Sequence, residues 1–230
     1  MKPIDLTIPE PKKNDLKTDA TSAGKAQQIL TKAQTALGGT EALAGIKDMV
    51  WNVDMQMQGA TLKSKNYWMA PGLLRQEQTL PIGTVIVYSD GITGWLKTPQ
   101  GDMPMPPPVL NQVKEQLMRS LPSLVLSDRV KSRTVKLVDD TTVEITEPGL
   151  APVRLSIDPA NGLPTKIIYQ MQSQQGMQDV VQEFLDYRAV GPIRFSYKQK
   201  INQAGRVSES TASNVQINSG LTKETISAKP

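Results

Sequence analysis

The stretch Met49-Val-Trp-Asn-Val-Asp-Met-Gln-Met-Gln58 alternates from Trp51 onward: Met49, Trp51, Val53, Met55 and Met57 are apolar, and Asn52, Asp54, Gln56 and Gln58 are polar. A period of two is the signature of a strand with one dry and one wet face. The pattern recurs to the end of the chain, and turn residues punctuate it at short intervals. Pro71-Gly72, Asp90-Gly91, Gln100-Gly101, Asp139-Asp140, Pro159-Ala-Asn-Gly162, Gly191-Pro192 and Ala204-Gly205 each separate two strand-like runs. The spacing predicts roughly twelve strands. Parallel pairing needs a helical crossover after almost every strand, and the connections are too short for that, so the sheet is expected to be antiparallel.

Two stretches break the alternation. In AGKAQQILTKAQTALGG, residues Ala26, Ile29, Ala33, Ala36 and Leu37 fall on one helical face, and Gly38-Gly39 ends it. Thr40 is placed to cap one further turn. Between Pro108 and Arg119 a second helix presents Val109, Leu110, Val113, Leu117 and Met118 on one side, with Pro108 suited to its first turn and Pro122 ending it. The expected class is mainly β with two helical segments: one large, strongly curved antiparallel sheet in a single domain over residues 23–218. Residues 1–22 read as a linker or extended arm and 219–230 as a loose tail.

What the chain lacks narrows its chemistry. It contains no His and no Cys. Imidazole- or thiolate-ligated metal sites, Cys nucleophiles and His-dependent triads are therefore excluded. Acid–base catalysis would fall to Asp, Glu, Lys or Tyr. The aspartates at 54, 90, 139, 140, 158 and 186 lie mostly in turns or on wet strand faces, and no G-x-S-x-G or phosphate-loop spacing occurs. No enzymatic activity and no cofactor are expected. The basic run Arg129–Lys136 has no interleaved aromatic for base stacking and reads as a solvated connector, so nucleic acid is not an expected partner. No segment has the roughly 18 apolar residues of a membrane helix, and the first 22 residues lack the apolar core of a signal peptide.

The apolar stripes are the most informative feature. A curved sheet of many long strands and two short helices leaves more apolar surface than the helices can cover, and such a hollow is a ligand site by default. The ten methionines favour an adaptable lining. The expected wall and lid residues are Trp51, Val53, Met55, Tyr67, Met69, Trp95, Leu117, Met118, Phe195 and Tyr197, with the helix from Pro108 to Arg119 as lid.

Three stretches resemble a known superfamily. ILTKAQTALGGTEALAGIKDMVWNVDMQMQG, LSIDPANGLPTKIIYQ and FLDYRAVGPIRFSYKQKI are similar to the opening and the two late hairpins of bacterial outer-membrane lipoprotein-sorting (LolA/LolB-like) proteins. DGITGWLKTPQGDMPMP further resembles a subgroup found as a domain after insulinase-like zinc peptidases. The resemblance implies an incomplete antiparallel barrel with helices on its concave face, an apolar cavity for a lipid or acyl chain, and an exported or periplasmic setting. It carries over no catalytic residue, and the peptidase signature H-x-x-E-H cannot exist in a chain without His. Three functions remain: a lipid-holding domain, an accessory module with a filled core that docks on a peptidase or envelope protein, and a hydrolase using carboxylates alone.

Overall fold

The computed structural model describes residues 19–57, 60–81, 83–173 and 176–229. The chain opens with α1 (Ala20–Ala36), capped by Asp19, whose carboxylate accepts from Ser22 N at 2.8 Å. The one-turn α2 (Thr40–Ala44) follows. Six strands come next: β1 (Asp48–Met57), β2 (Ala60–Met69), β3 (Leu73–Leu80), β4 (Gly83–Ser89), β5 (Gly94–Thr98) and β6 (Gly101–Pro104). A crossover then contains α3 (Pro107–Met118), α4 (Leu121–Val125) and a 3-10 turn, Ser127–Arg129. Seven strands complete the sheet: β7 (Thr134–Asp139), β8 (Thr142–Thr146), β9 (Val153–Ile157), β10 (Pro164–Ser173), β11 (Gly176–Val190), β12 (Ile193–Gln203) and β13 (Arg206–Ile217). The short α5 (Lys223–Ser227) comes last.

All thirteen strands form one antiparallel sheet in the order β6-β5-β4-β3-β2-β1-β13-β12-β11-β10-β9-β8-β7. Its logic is that of hairpins. From β1 the chain steps outward, strand by strand, to β6 at one edge. It then crosses to β7 at the far edge and steps back inward until β13 lies beside β1, with Val53 opposite Ala212 and Met55 opposite Ser210.

Two expectations from the sequence are corrected. The sheet is neither closed into a barrel nor strongly curved: β6 and β7 end it and are not paired with each other. Closure needs edges that can pair, and β6 is four residues long and ends in Pro104, which has no amide hydrogen to donate. The expected incomplete barrel is thus an open sheet. The described residues also form five α-helices, not two. Pro122 does not simply end a helix: it occupies the first turn of α4, where its missing N–H costs nothing. Thr222 caps α5 by accepting from Thr225 N at 3.2 Å, within the segment read as a loose tail. The expected arm at 1–22 lies almost wholly outside the described residues, as does the turn at Gly59.

The main core lies where α1 and α4 cover one face of β7–β11. Ala26, Ile29, Leu30, Ala33 and Leu37 of α1 meet Leu124 and Val125 of α4 and the buried residues Val143, Ile145, Val153, Leu155 and Ile167. A smaller cluster forms where Val113 of α3 packs with Leu74 and Met105. The strands between these two covers, β2, β1, β13 and β12, are left to build something else.

Candidate functional site

Each strand offers every second residue to a given face, so register decides what lines a hollow above the sheet. Met49 pairs with Trp68, Trp51 with Asn66, Val53 with Ser64 and Met55 with Leu62. The face continues across β3, where Trp68 pairs with Leu74 and Asn66 with Gln76. On the other flank Ser210 pairs with Gln199, and Gln199 with Phe184. These residues form the floor of a cavity of about 880 Å³. Residues from α2 and its flanks (Leu43, Ile46), from α3 (Leu117, Met118) and from the start of α4 (Leu121, Pro122) form its other walls. The volume lies in the range typical of small-molecule sites.

Seven of the ten residues expected at the site line this cavity: Trp51, Val53, Met55, Leu117, Met118, Phe195 and Tyr197. Phe195 and Tyr197 meet edge to face, with ring centroids 5.7 Å apart. Met118 is 2% exposed and ties the end of α3 to the main core. Tyr67, Met69 and Trp95 lie elsewhere. They pack against Leu73, Tyr88, Leu221 and the fully buried Ile226 in a separate cluster under α5. The register explains the split: Tyr67 pairs with Arg75, Arg75 with Tyr88 and Tyr88 with Trp95, a row on the face opposite Trp51.

The sequence reading missed Trp68, Asn66, Gln76, Gln78, Gln182, Phe184 and Gln199, all on the cavity wall. A signal for the first two existed. Met57 pairs with Ala60 across a two-residue connection. Such a loop sets odd residues of β1 opposite even residues of β2, which puts Trp68, not Tyr67, beside the Met49–Met55 stripe.

Four cationic residues line the cavity, Lys114, Arg119, Arg133 and Arg194, and two of them are held in ion pairs. Arg119 pairs with Glu115 at 3.2 Å and stands over the Tyr169 ring at 4.2 Å. Burial raises the Tyr169 phenol above its ordinary value, with Arg119 opposing the shift. Arg133 Nε donates to Glu147 at 2.8 Å, and its Nη1 donates to Ser123 O at 2.6 Å, which fastens the end of the crossover to the β8–β9 connection.

Catalytic groups do not converge here. Glu147 is the single acidic residue among those lining the cavity, so a carboxylate pair for acid–base hydrolysis is not on its wall. Elsewhere aspartates brace turns or pair along strands. Asp90 accepts from Thr93 N and Ile92 N at 2.7 and 2.9 Å, bonds that hold its carboxyl below its ordinary value. Asp158 accepts from Ala160 N, and Asp186 pairs with Arg188. Among the described residues no group of three or more His, Cys, Asp or Glu is placed to hold a metal ion, and no helix is long and apolar enough to cross a membrane.

No protein-family model matches the chain, and no curated protein matches it. Solved structures do. A LolA superfamily protein from Nitrosomonas europaea matches with 15% identity and a TM-score of 0.59, over 89% of this chain and 97% of that one. The fold resembles that of the LolA superfamily. A DUF1329 family protein from Desulfovibrio piger matches with 13% identity and a TM-score of 0.58, again over 89% of this chain and 97% of its own. At these identities the likeness concerns the fold, and neither match points to a peptidase-linked subgroup.

Proposed function

We propose that this protein is a non-enzymatic binding domain that holds a lipid or other apolar chain between the sheet and the crossover helices, in an exported or periplasmic setting. The cavity carries the reading. Trp51, Val53, Met55, Trp68, Leu117 and Phe195 give it an apolar wall that neighbouring side chains do not fill. Burying a few hundred Å² of ligand hydrocarbon there contributes roughly 5–10 kcal/mol before the costs of association. The likeness to a LolA superfamily protein supports both the holding role and the setting. The accessory-module reading needs a filled core, and nothing at the sheet edges favours it over a cavity of this size.

Entry falls to the crossover. The floor strands are locked by ladder hydrogen bonds on both sides and α4 is fixed in the main core by Leu124 and Val125, whereas α3 rests on the sheet through side chains, Val113 and Leu117 beside Leu74 and Met105 among them. A small outward movement of α3 opens the hollow without breaking the sheet. Solvent extraction and native mass spectrometry of the purified protein test the proposal. A bound apolar molecule, or uptake of an apolar dye with a fluorescence gain, is expected. An unliganded mass together with no dye uptake would contradict it.

A further inference from the structure

The cavity floor is sorted by charge. On the six strands that build it, β3, β2, β1, β13, β12 and β11, the lining residues are apolar or carry neutral hydroxyls and amides; the one charged exception is Arg194, at the exposed start of β12. The alternate positions of the same strands turn to the other face, and there Lys63, Lys65, Glu77, Glu183, Lys198 and Lys200 appear. Sheet faces open to water tolerate Lys and Glu freely, so the lack of charge on the floor asks for a cause.

The amides are also linked. Gln78 Nε2 donates to Gln76 Oε1 at 3.1 Å, Gln76 Nε2 to Asn66 Oδ1 at 2.9 Å, and Asn66 Nδ2 to Ser64 Oγ at 3.2 Å. Across the floor Gln182 Nε2 donates to Gln199 Oε1 at 2.8 Å. Each amide has two N–H groups and two lone-pair sites, so a ladder bond leaves capacity for a second partner. Removing water from such a surface is cheap if the incoming group hydrogen-bonds and is uncharged. Removing water from Lys or Glu there would be expensive without a counter-charge. An anionic headgroup would need a cation beside it: Arg119 and Arg133 are already paired with Glu115 and Glu147, and the other two cationic lining residues, Lys114 on α3 and Arg194 at the start of β12, are not members of the amide ladders.

We infer that the cavity takes an amphiphile whose polar part is uncharged and hydroxyl-bearing, as in a sugar or polyol headgroup, lying against the amide ladders while the chain lies against Trp51, Trp68 and Phe195. This deepens the proposed function and rests on it. Three probes with the same chain and different heads test it below their micellar concentrations: dodecyl maltoside, dodecyl phosphate and dodecyltrimethylammonium, each titrated against an apolar dye bound to the full chain. The maltoside is expected to displace the dye at a concentration at least about tenfold lower than either charged probe. In Gln76→Leu/Gln199→Leu that ratio is expected to fall below about threefold while all three probes still bind, and in Gln78→Leu alone to fall in part. Lys63→Gln, on the opposite face, is expected to leave it unchanged. Equal or tighter binding of the phosphate overturns the inference, as does an unchanged ratio in both glutamine variants. Binding of none of the three overturns the cavity reading beneath it.

Discussion

Gly38, just past the end of α1, lies directly against the carbonyl of Pro192 in the β11–β12 turn. A Cβ added at Gly38 would overlap the Pro192 oxygen and approach Ile193 Cα to 2.9 Å. Its φ of 122° is also one that L side chains rarely adopt. The contact is fixed from both sides, since Arg194 N donates to Leu37 O at 2.9 Å. Gly38→Ala is therefore expected to cost about 3 kcal/mol, from strain and displaced backbone together. Denaturant unfolding measures it; a loss under about 1 kcal/mol would mean that the turn yields readily.

The Tyr187 hydroxyl donates to Pro164 O at 2.8 Å. Burial pushes its phenol far above the ordinary 10.0. The unfolded chain therefore releases this proton near pH 10 while the native chain keeps it. The resulting stability is complete below about pH 10 and is lost as pH rises beyond it. Tyr187→Phe is expected to lose about 1 kcal/mol at neutral pH. It should also show a shallower fall of melting temperature between pH 10 and 11 than the parent. Parallel alkaline slopes would contradict the assignment.

Ile226 is 0% exposed, although it sits on a helix of one turn. Tyr67, Tyr88 and Trp95 lie in the cluster that encloses it, and the Arg75 guanidinium donates to the carbonyls of Ile226 and Ala228. Ile226→Ala is expected to weaken docking of residues 221–229 by about 2–4 kcal/mol. Tryptic cleavage after Lys223 should accelerate while the global unfolding midpoint moves much less. Unchanged cleavage would show that the segment does not depend on this side chain.

Local grammar made much of the fold legible. Asp139-Asp140, Pro159–Gly162, Gly191-Pro192 and Ala204-Gly205 all stand at the expected turns, between β7 and β8, β9 and β10, β11 and β12, and β12 and β13. The crossover helix was expected at Pro108–Arg119 and runs Pro107–Met118. The stretches that carry the family resemblance also meet in space. Gly38 touches the Pro192 turn, and a Cβ on Gly162 would come within 2.9 Å of Lys32 O in α1. Their glycines mark close approaches to or from α1. What stayed hidden was non-local. Whether edges pair depends on strands far apart in sequence, so the alternation of β1 could not tell an open sheet from a closing one. The face of Tyr67, Met69 and Trp95 depended on counting register through successive turns. The helices α4 and α5 are too short to show periodicity, and tertiary burial of Leu124, Val125 and Ile226 secures them instead.

The three tryptophans supply the most direct test of the central claim that an apolar chain occupies the hollow above β1 and β2. Trp51 and Trp68 line the cavity, whereas Trp95 packs under α5 on the other face. A fatty chain brominated near its middle quenches indoles only at close range. Titrated into the parent protein, it should quench most of the emission, and in Trp51→Phe/Trp68→Phe, where Trp95 alone emits, it should quench almost none. Strong quenching of Trp95, or no quenching of the parent at saturating chain, would contradict the account.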